Sequence, residues 1–147
     1  MVGTGRIVVG VDGSESSKDA LRWAKAQADA TGAELVAVAA WSYLTAAYPT
    51  LAGYVPVESV DMESETRSTL EQVVKETIGD APISLLVREG HPANVIVDVA
   101  RDAALVVVGC RGHGGFVGSL IGSVSQHVVA HALCPVVVIR HAKDPHR

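Results

Sequence analysis

The segment Gly109-Cys110-Arg111-Gly112-His113-Gly114-Gly115-Phe116-Val117-Gly118-Ser119-Leu120-Ile121-Gly122-Ser123 joins an apolar β-branched run, Leu105-Val106-Val107-Val108, to a helical pattern, Val124-Ser125-Gln126-His127-Val128-Val129-Ala130-His131-Ala132. Strand, glycine-rich loop and helix start are the three parts needed to hold a phosphate with main-chain N–H groups. The glycines let the backbone approach an anion closely or adopt positive φ. The helix start supplies N–H groups without intrahelical acceptors, and a partial positive charge. Ser123, which the spacing puts at the N-cap, adds a hydroxyl that serves either the helix or a phosphate oxygen. The chemistry these residue types suit is the binding of a phosphorylated small molecule.

Other residues carry weaker chemistry. Gly114, Gly115 and Gly118 supply phosphate contacts or only loop freedom. Arg111 either forks onto phosphate oxygens or stays solvated, and both readings stand. His127 and His131 have the four-residue spacing of helical metal ligands, but no third ligand is in view, so the pair reads as an ordinary helix face and no metal ligand is assigned. His113 has no evident serine or cysteine nucleophile to activate. Cys110 and Cys134 are too few for a disulfide framework or a zinc pattern, and read as packing residues.

These residues need elements to position them. The chain has 147 residues, a length that fits one domain, spanning residues 1–147, with a proper core. Hydrophobic residues make up 48% of it, mostly Val, Ala and Leu, which suits an α/β domain with a buried parallel sheet. The net charge is −4 with no basic block, which argues against nucleic acid as the main partner. Residues 1–6 show no charged-then-apolar leader and no apolar run reaches membrane-span length, so the expectation is a soluble cytoplasmic protein.

Ile7–Val11 reads as a strand ending in the turn cluster Asp12-Gly13-Ser14, followed by a helix over 16–31 with Ala20, Leu21, Ala24 and Ala28 inward and Gly32 as its stop. Strand two is 35–40. A helix follows within 58–78, led by Glu58, Asp61, Glu63 and Glu65, with Leu70, Val73, Val74, Thr77 and Ile78 as its stripe and Gly79 ending it. Strand three is 83–87, and Pro92 opens a helix through Asp102 with Ile96, Val99 and Ala100 inward. Strand four ends at Gly109, helix four spans 123–133 and strand five is 136–139. Residues 41–57 fit no period and read as a surface connector or a flap.

Strict β–α alternation with strands apolar on both faces predicts a doubly wound α/β domain: a five-stranded parallel sheet in order 3-2-1-4-5 with four helices on both faces. In that order the chain reverses direction between strands one and four. Their carboxyl ends carry Asp12 and the Gly109–Ser123 loop, and ligands bind at such switch points.

At these residues the chain resembles the ATP-binding universal stress proteins. Gly109-x2-Gly112-x9-Gly122-Ser123 matches the family's nucleotide signature; Val11-Asp12-Gly13-Ser14, Gly90-His91-Pro92 and Cys134-Pro135-Val136 look like the same family, over nearly the whole chain. Cys110 departs from the pattern, where serine is usual. The resemblance implies that Gly10, Val11 and Asp12 face the adenosine end, with Asp12 as the ribose contact or a contact to magnesium through Mg-ATP. It implies Ala40 and Val108 near the adenine. It gives Gly109, Gly112, Gly122, Ser123, Val124 and Ser125 to the phosphates, with Arg111 as the loop's cation. It further implies a non-catalytic homodimeric regulator responsive to an adenine nucleotide, pairing through Val136–Arg140, an edge that needs cover.

Three rivals remain at this stage: a slow ATP hydrolase or nucleotidyl transferase, a binder of AMP or cyclic AMP, and a phospho-accepting receiver. The P-loop Gly-Lys-Ser/Thr is absent and no second carboxylate adjoins Asp12, which weighs against the first. A glycine loop cradles any of the nucleotides. The receiver is discarded, because Arg88-Glu89-Gly90 stands where strand three should end in aspartate.

Overall fold

The computed structural model describes residues 5–42, 61–110 and 121–140. Five parallel strands are laid out as predicted, in the order third, second, first, fourth and fifth of the chain. They are β1 (Arg6–Gly10), β2 (Glu34–Trp41), β3 (Ser84–Glu89), β4 (Leu105–Gly109) and β5 (Val136–Ile139). The four helices are α1 (Glu15–Thr31), α2 (Met62–Ile78), α3 (Pro92–Val99) and α4 (Ser123–His131).

Past their first residues, Arg6 and Glu34, strands β1 and β2 carry no charged side chain, and β4 carries none at all, because both faces of the sheet are covered. Alternate residues point to opposite faces. Ile7, Val9, Leu35, Ala37 and Val107 meet the α1–α2 layer at Leu21, Ala24, Leu70 and Val74. Val8, Val36, Val38, Val106 and Val108 meet the α3–α4 layer at Ile96, Val99 and Val128. The register Val8↔Val36 and Val8↔Val106 keeps like-facing residues level across the sheet.

Several boundaries differ from the sequence reading, each for a local reason. Helix α1 starts at Glu15, because Ser14 caps it by accepting from the Ser17 N–H at 3.2 Å. Asp61 is not a first-turn acid but the N-cap of α2, accepting from the Ser64 N–H at 3.0 Å. The third helix stops at Val99 and tightens into a 3₁₀ turn over Ala100–Asp102. Strand β3 runs to Glu89 because pairing with β2 continues through Ala40↔Arg88 and Trp41↔Glu89. At a sheet edge, charged side chains can stay in water while the backbone pairs. Trp41 therefore belongs to β2, and the remainder of the unplaced 41–57 segment, from residue 43, lies outside the described residues. Helix α4 ends at His131, two residues short of expectation.

Candidate functional site

The carboxyl ends of β1, β2 and β4 open into a cavity of about 600 Å³, within the range of small-molecule pockets. Its lining includes ten of the residues singled out in the sequence: Gly10, Val11, Asp12, Ala40, Val108, Gly109, Gly122, Ser123, Val124 and Ser125. The other two, Arg111 and Gly112, lie outside the described residues, as do His113, Gly114, Gly115 and Gly118.

After β1 the chain turns sharply at Asp12-Gly13-Ser14. Asp12 Oδ1 accepts from the Ser14 N–H at 2.9 Å and from the Ser14 hydroxyl at 2.6 Å. This self-bonded turn is the usual habit of an aspartate at a chain reversal. Asp12 is exposed, and both of these bonds fall on Oδ1. Ser17 Oγ, also in the lining, lies 3.3 Å from the Asp12 N–H, which donates to it. The turn thus holds Asp12 at the rim while tying it to the start of α1.

The opposite wall is the start of α4. Here the sequence expectation needs correction. Gly122, not Ser123, is the N-cap, in an extended conformation at φ −72°, ψ 169°. Its N–H donates to the Cys110 carbonyl at 2.6 Å, and its own carbonyl accepts the first intrahelical bond from Gln126 at 2.9 Å. Ser123 is therefore the first helical residue, with its side chain exposed. The N–H groups of Ser123, Val124 and Ser125 have no intrahelical acceptor, as in any first turn, and these residues line the cavity. The Ser125 hydroxyl is committed inside the fold, donating to the Gly109 carbonyl. It serves as a brace between β4 and α4, which leaves only the main chain of Ser125 to offer to the cavity. Replacing Ser125 by Ala should leave that buried carbonyl unpartnered and destabilise the fold by about 1–3 kcal/mol in chemical denaturation.

Gly109 has a structural duty beyond lining the cavity. A Cβ there would fall 2.5 Å from Ser16 Oγ and 2.6 Å from the Ser16 carbonyl carbon. Only glycine lets α1 sit this close to the end of β4. Gly10 is crowded too, but the nearest atom to an added Cβ is Ile96 Cδ1 at 2.7 Å, the flexible end of a side chain. Ser16 Oγ lies within reach of Cys110 Sγ (3.6 Å) and the Ile139 carbonyl (3.4 Å). Cys110 is buried, and its N–H donates to Ile139, joining β4 to β5. Burial pushes the Cys134 thiol up from its ordinary value.

Sequence reasoning missed the third wall. Met62, Glu65, Thr66, Thr69, Leu70 and Val73 of α2 line the cavity. Positions 62, 66, 69, 70 and 73 continue one helical face, so the stripe through Leu70 and Val73 signalled it. Extending that stripe backwards would have revealed polar residues on an inward face. Pro92 and Ile96 of α3 were also missed. Gly90 takes φ 143° and His91 caps α3 by accepting from the Ala93 N–H at 3.3 Å, which sets Pro92 beside the crevice.

His127 and His131 stack at 4.3 Å between ring centroids, and no group of three metal-ligating side chains occurs among the described residues. A second cavity of about 360 Å³, at the amino ends of β2 and β3, is lined by Lys25, Asp29 and Glu34 among others. Lys25 and Asp29 already pair there at 2.5 Å, and no helix start opens into it. No helix among the described residues is long and apolar enough to cross a membrane.

A parallel sheet in this order, with a ligand-sized crevice between the ends of β1 and β4, defines a doubly wound α/β protein with a cavity at its switch point. The chain belongs to the universal stress protein family, whose model matches residues 3–140. Universal stress protein Rv1996 of Mycobacterium tuberculosis is 36% identical over 143 residues, covering 95% of this chain and 45% of that protein. The chain spans about half the length of the curated relatives it matches. Among solved structures, the universal stress protein UspA from Lactobacillus plantarum is 26% identical, covers 92% of this chain and 97% of its own, and superposes with a TM-score of 0.72. A universal stress protein in complex with cAMP is also 26% identical (95% and 98% coverage, TM-score 0.61). The Archaeoglobus fulgidus protein in complex with dAMP is 27% identical (95% and 99% coverage, TM-score 0.58).

Proposed function

We propose that residues 1–147 form one nucleotide-binding domain that takes an adenine nucleotide in the switch-point cavity, with ATP accompanied by magnesium as its ligand. The observation that carries this reading is the first turn of α4: Ser123, Val124 and Ser125, whose N–H groups have no intrahelical acceptor, line the cavity beside Gly122. Such a turn favours anions through unpaired N–H groups and the helix dipole together. Arg111 and Gly112 complete the phosphate loop in this reading.

The donor set suits the rest of the nucleotide. Val38 faces β1, since its carbonyl accepts from the Val11 N–H at 2.9 Å; Trp41 faces β3, accepting from Gly90 at 2.7 Å. By the alternation of a parallel ladder, Ala40 directs its main-chain N–H and carbonyl to the β1 side, beyond the end of β1. That is a donor–acceptor pair for the edge of a base, with Val108 and Ile96 as apolar surface nearby. Asp12 Oδ2 remains for a ribose hydroxyl or for magnesium held by the phosphates. Magnesium would supply charge neutralisation of the triphosphate.

The function in this reading is regulatory and non-catalytic, in the stress response of the cytoplasm. Nucleotide orders the loops after β1 and β4 and thereby alters a partner surface. The acting form is a homodimer through Val136–Arg140: β5 lies at the sheet edge with every residue only half-buried. The complexes of similar proteins with cAMP and dAMP favour a second reading, in which a monophosphate is the ligand and magnesium is dispensable.

Calorimetric titration with Mg-ATP, AMP and cyclic AMP decides between them. Tightest binding of Mg-ATP without turnover is the expected result. Tighter binding of AMP or cyclic AMP would replace ATP with a monophosphate, and binding of none would end the nucleotide reading.

A further inference from the structure

The turn after β1 is held from α1, and one buried hydroxyl does the holding at its Asp12 end. Pairing of this strand with β2 ends at the Val11 N–H, which donates to the Val38 carbonyl at 2.9 Å. The next N–H, that of Asp12, donates instead to Ser17 Oγ at 3.3 Å. The Ser17 hydroxyl spends its single proton on the Ser14 carbonyl, at 3.0 Å. It therefore spans both ends of the Asp12-Gly13-Ser14 reversal. Ser17 is 4% exposed and belongs to the cavity lining.

The two ends of the turn are not held equally. Ser14 caps α1, and its carbonyl also accepts the Lys18 N–H at 3.0 Å, so its end stays tied to the helix whatever stands at position 17. Among the described residues, the main-chain N–H of Asp12 has Ser17 as its partner. Ser17 is itself anchored. Its neighbour Ser16 is buried against the end of β4 so closely that Gly109 has no room for a Cβ. The start of α4 is joined to that same strand end, since the Gly122 N–H donates to the Cys110 carbonyl at 2.6 Å. The place of Asp12 relative to the opposite wall is thus set through Ser17, a residue on a packed helix rather than on the turn.

We propose that Ser17 is a positioning residue, whose buried hydroxyl holds Asp12 at the spacing from the start of α4 that one nucleotide spans. The inference rests on the nucleotide reading above, in which Asp12 meets ribose or magnesium and the start of α4 meets phosphate. Ser17 acts through Asp12 and needs no ligand contact of its own. Asp12 is exposed, so water can take over its N–H when the hydroxyl is removed, and the fold should survive.

The test is a double-mutant cycle of wild type, Ser17→Ala, Asp12→Ala and the double variant, read by calorimetry with whichever of Mg-ATP and AMP binds tighter. Ser17→Ala should weaken binding by about tenfold, the contribution of one hydrogen bond. Asp12→Ala should lose at least as much, and adding Ser17→Ala to it should change almost nothing, because the carboxylate being positioned is gone. Ser17→Cys keeps the packing but offers only a weakly hydrogen-bonding thiol, so it should lose affinity as the alanine variant does and replaces that variant if circular dichroism shows it unfolded. Wild-type affinity in the Ser17 variants would overturn the role of Ser17. So would an equal loss with and without the Asp12 carboxylate, the mark of a serine that only supports the fold, or full affinity in Asp12→Ala. Those three results leave nucleotide binding intact. A wild type that binds neither nucleotide would overturn the nucleotide reading and the role of Ser17 together.

Discussion

Gly122→Glu should fold and lose nucleotide binding by at least about 100-fold, equivalent to ~2.7 kcal/mol. Gly122 caps α4 in an extended conformation open to any L residue, so the substitution adds no backbone strain. Gly122 is a buried residue of the cavity lining, so a side chain added there crowds the helix start beside the ligand. A carboxylate at that point sits against the N–H groups offered to phosphate. Two like charges about 4 Å apart at an effective dielectric of 20 repel by ~4 kcal/mol, more than the ~0.3–1 kcal/mol each favourable helix-end interaction contributes. Gly122→Ala separates charge from bulk and should lose far less. Calorimetry measures the loss and circular dichroism checks the fold. Wild-type affinity in a folded Gly122→Glu protein would remove the phosphate from this helix end.

Gly109→Ala should instead damage the fold. The new Cβ would press on the Ser16 main chain, with the carbonyl carbon at 2.6 Å and the oxygen at 2.7 Å, and backbone cannot rotate away. Helix α1 would have to lift from the end of β4. Overpacking of this kind costs about 3 kcal/mol, near the upper end for a single added methyl. The matching change Gly10→Ala meets only the tip of Ile96 and should cost well under half as much. Urea denaturation of the two variants reads the difference. Equal losses would mean that the junction of α1 and β4 yields more easily than its geometry indicates.

That contrast bears on what a glycine motif means. Gly109 and Gly122 look alike in a spaced signature, yet one is glycine for a helix packed against it and the other lines the crevice without needing positive φ. Spacing alone cannot separate the two, because the reason for Gly109 lies at Ser16, 93 positions away in the chain.

The fold was legible for a related reason. Burial on both faces demands unbroken apolar strands, and Val8-Val9 and Val106-Val107-Val108 leave no other assignment. The edges were harder. Strand β3 carries Arg88 and Glu89, and only its pairing with β2 reveals them as strand. Helix ends depended on single hydrogen bonds, such as Ser14 to Ser17 and Asp61 to Ser64, which composition does not rank. In the site, the walls from β1, β4 and α4 were readable because strand–turn–helix chemistry is local. The α2 wall was not, since Glu65 and Thr69 meet the crevice only through the packing of α2 over β2 and β3.

The first experiment to run is an amide-resolved NMR titration of the wild-type protein with Mg-ATP and, separately, with AMP. The N–H resonances of Ser123, Val124 and Ser125 should shift strongly and saturably, together with Asp12 and Ala40. Saturating nucleotide that leaves those three amides unmoved, or that shifts only the residues of the Lys25–Glu34 cavity at the other end of the sheet, would contradict a phosphate site at the start of α4.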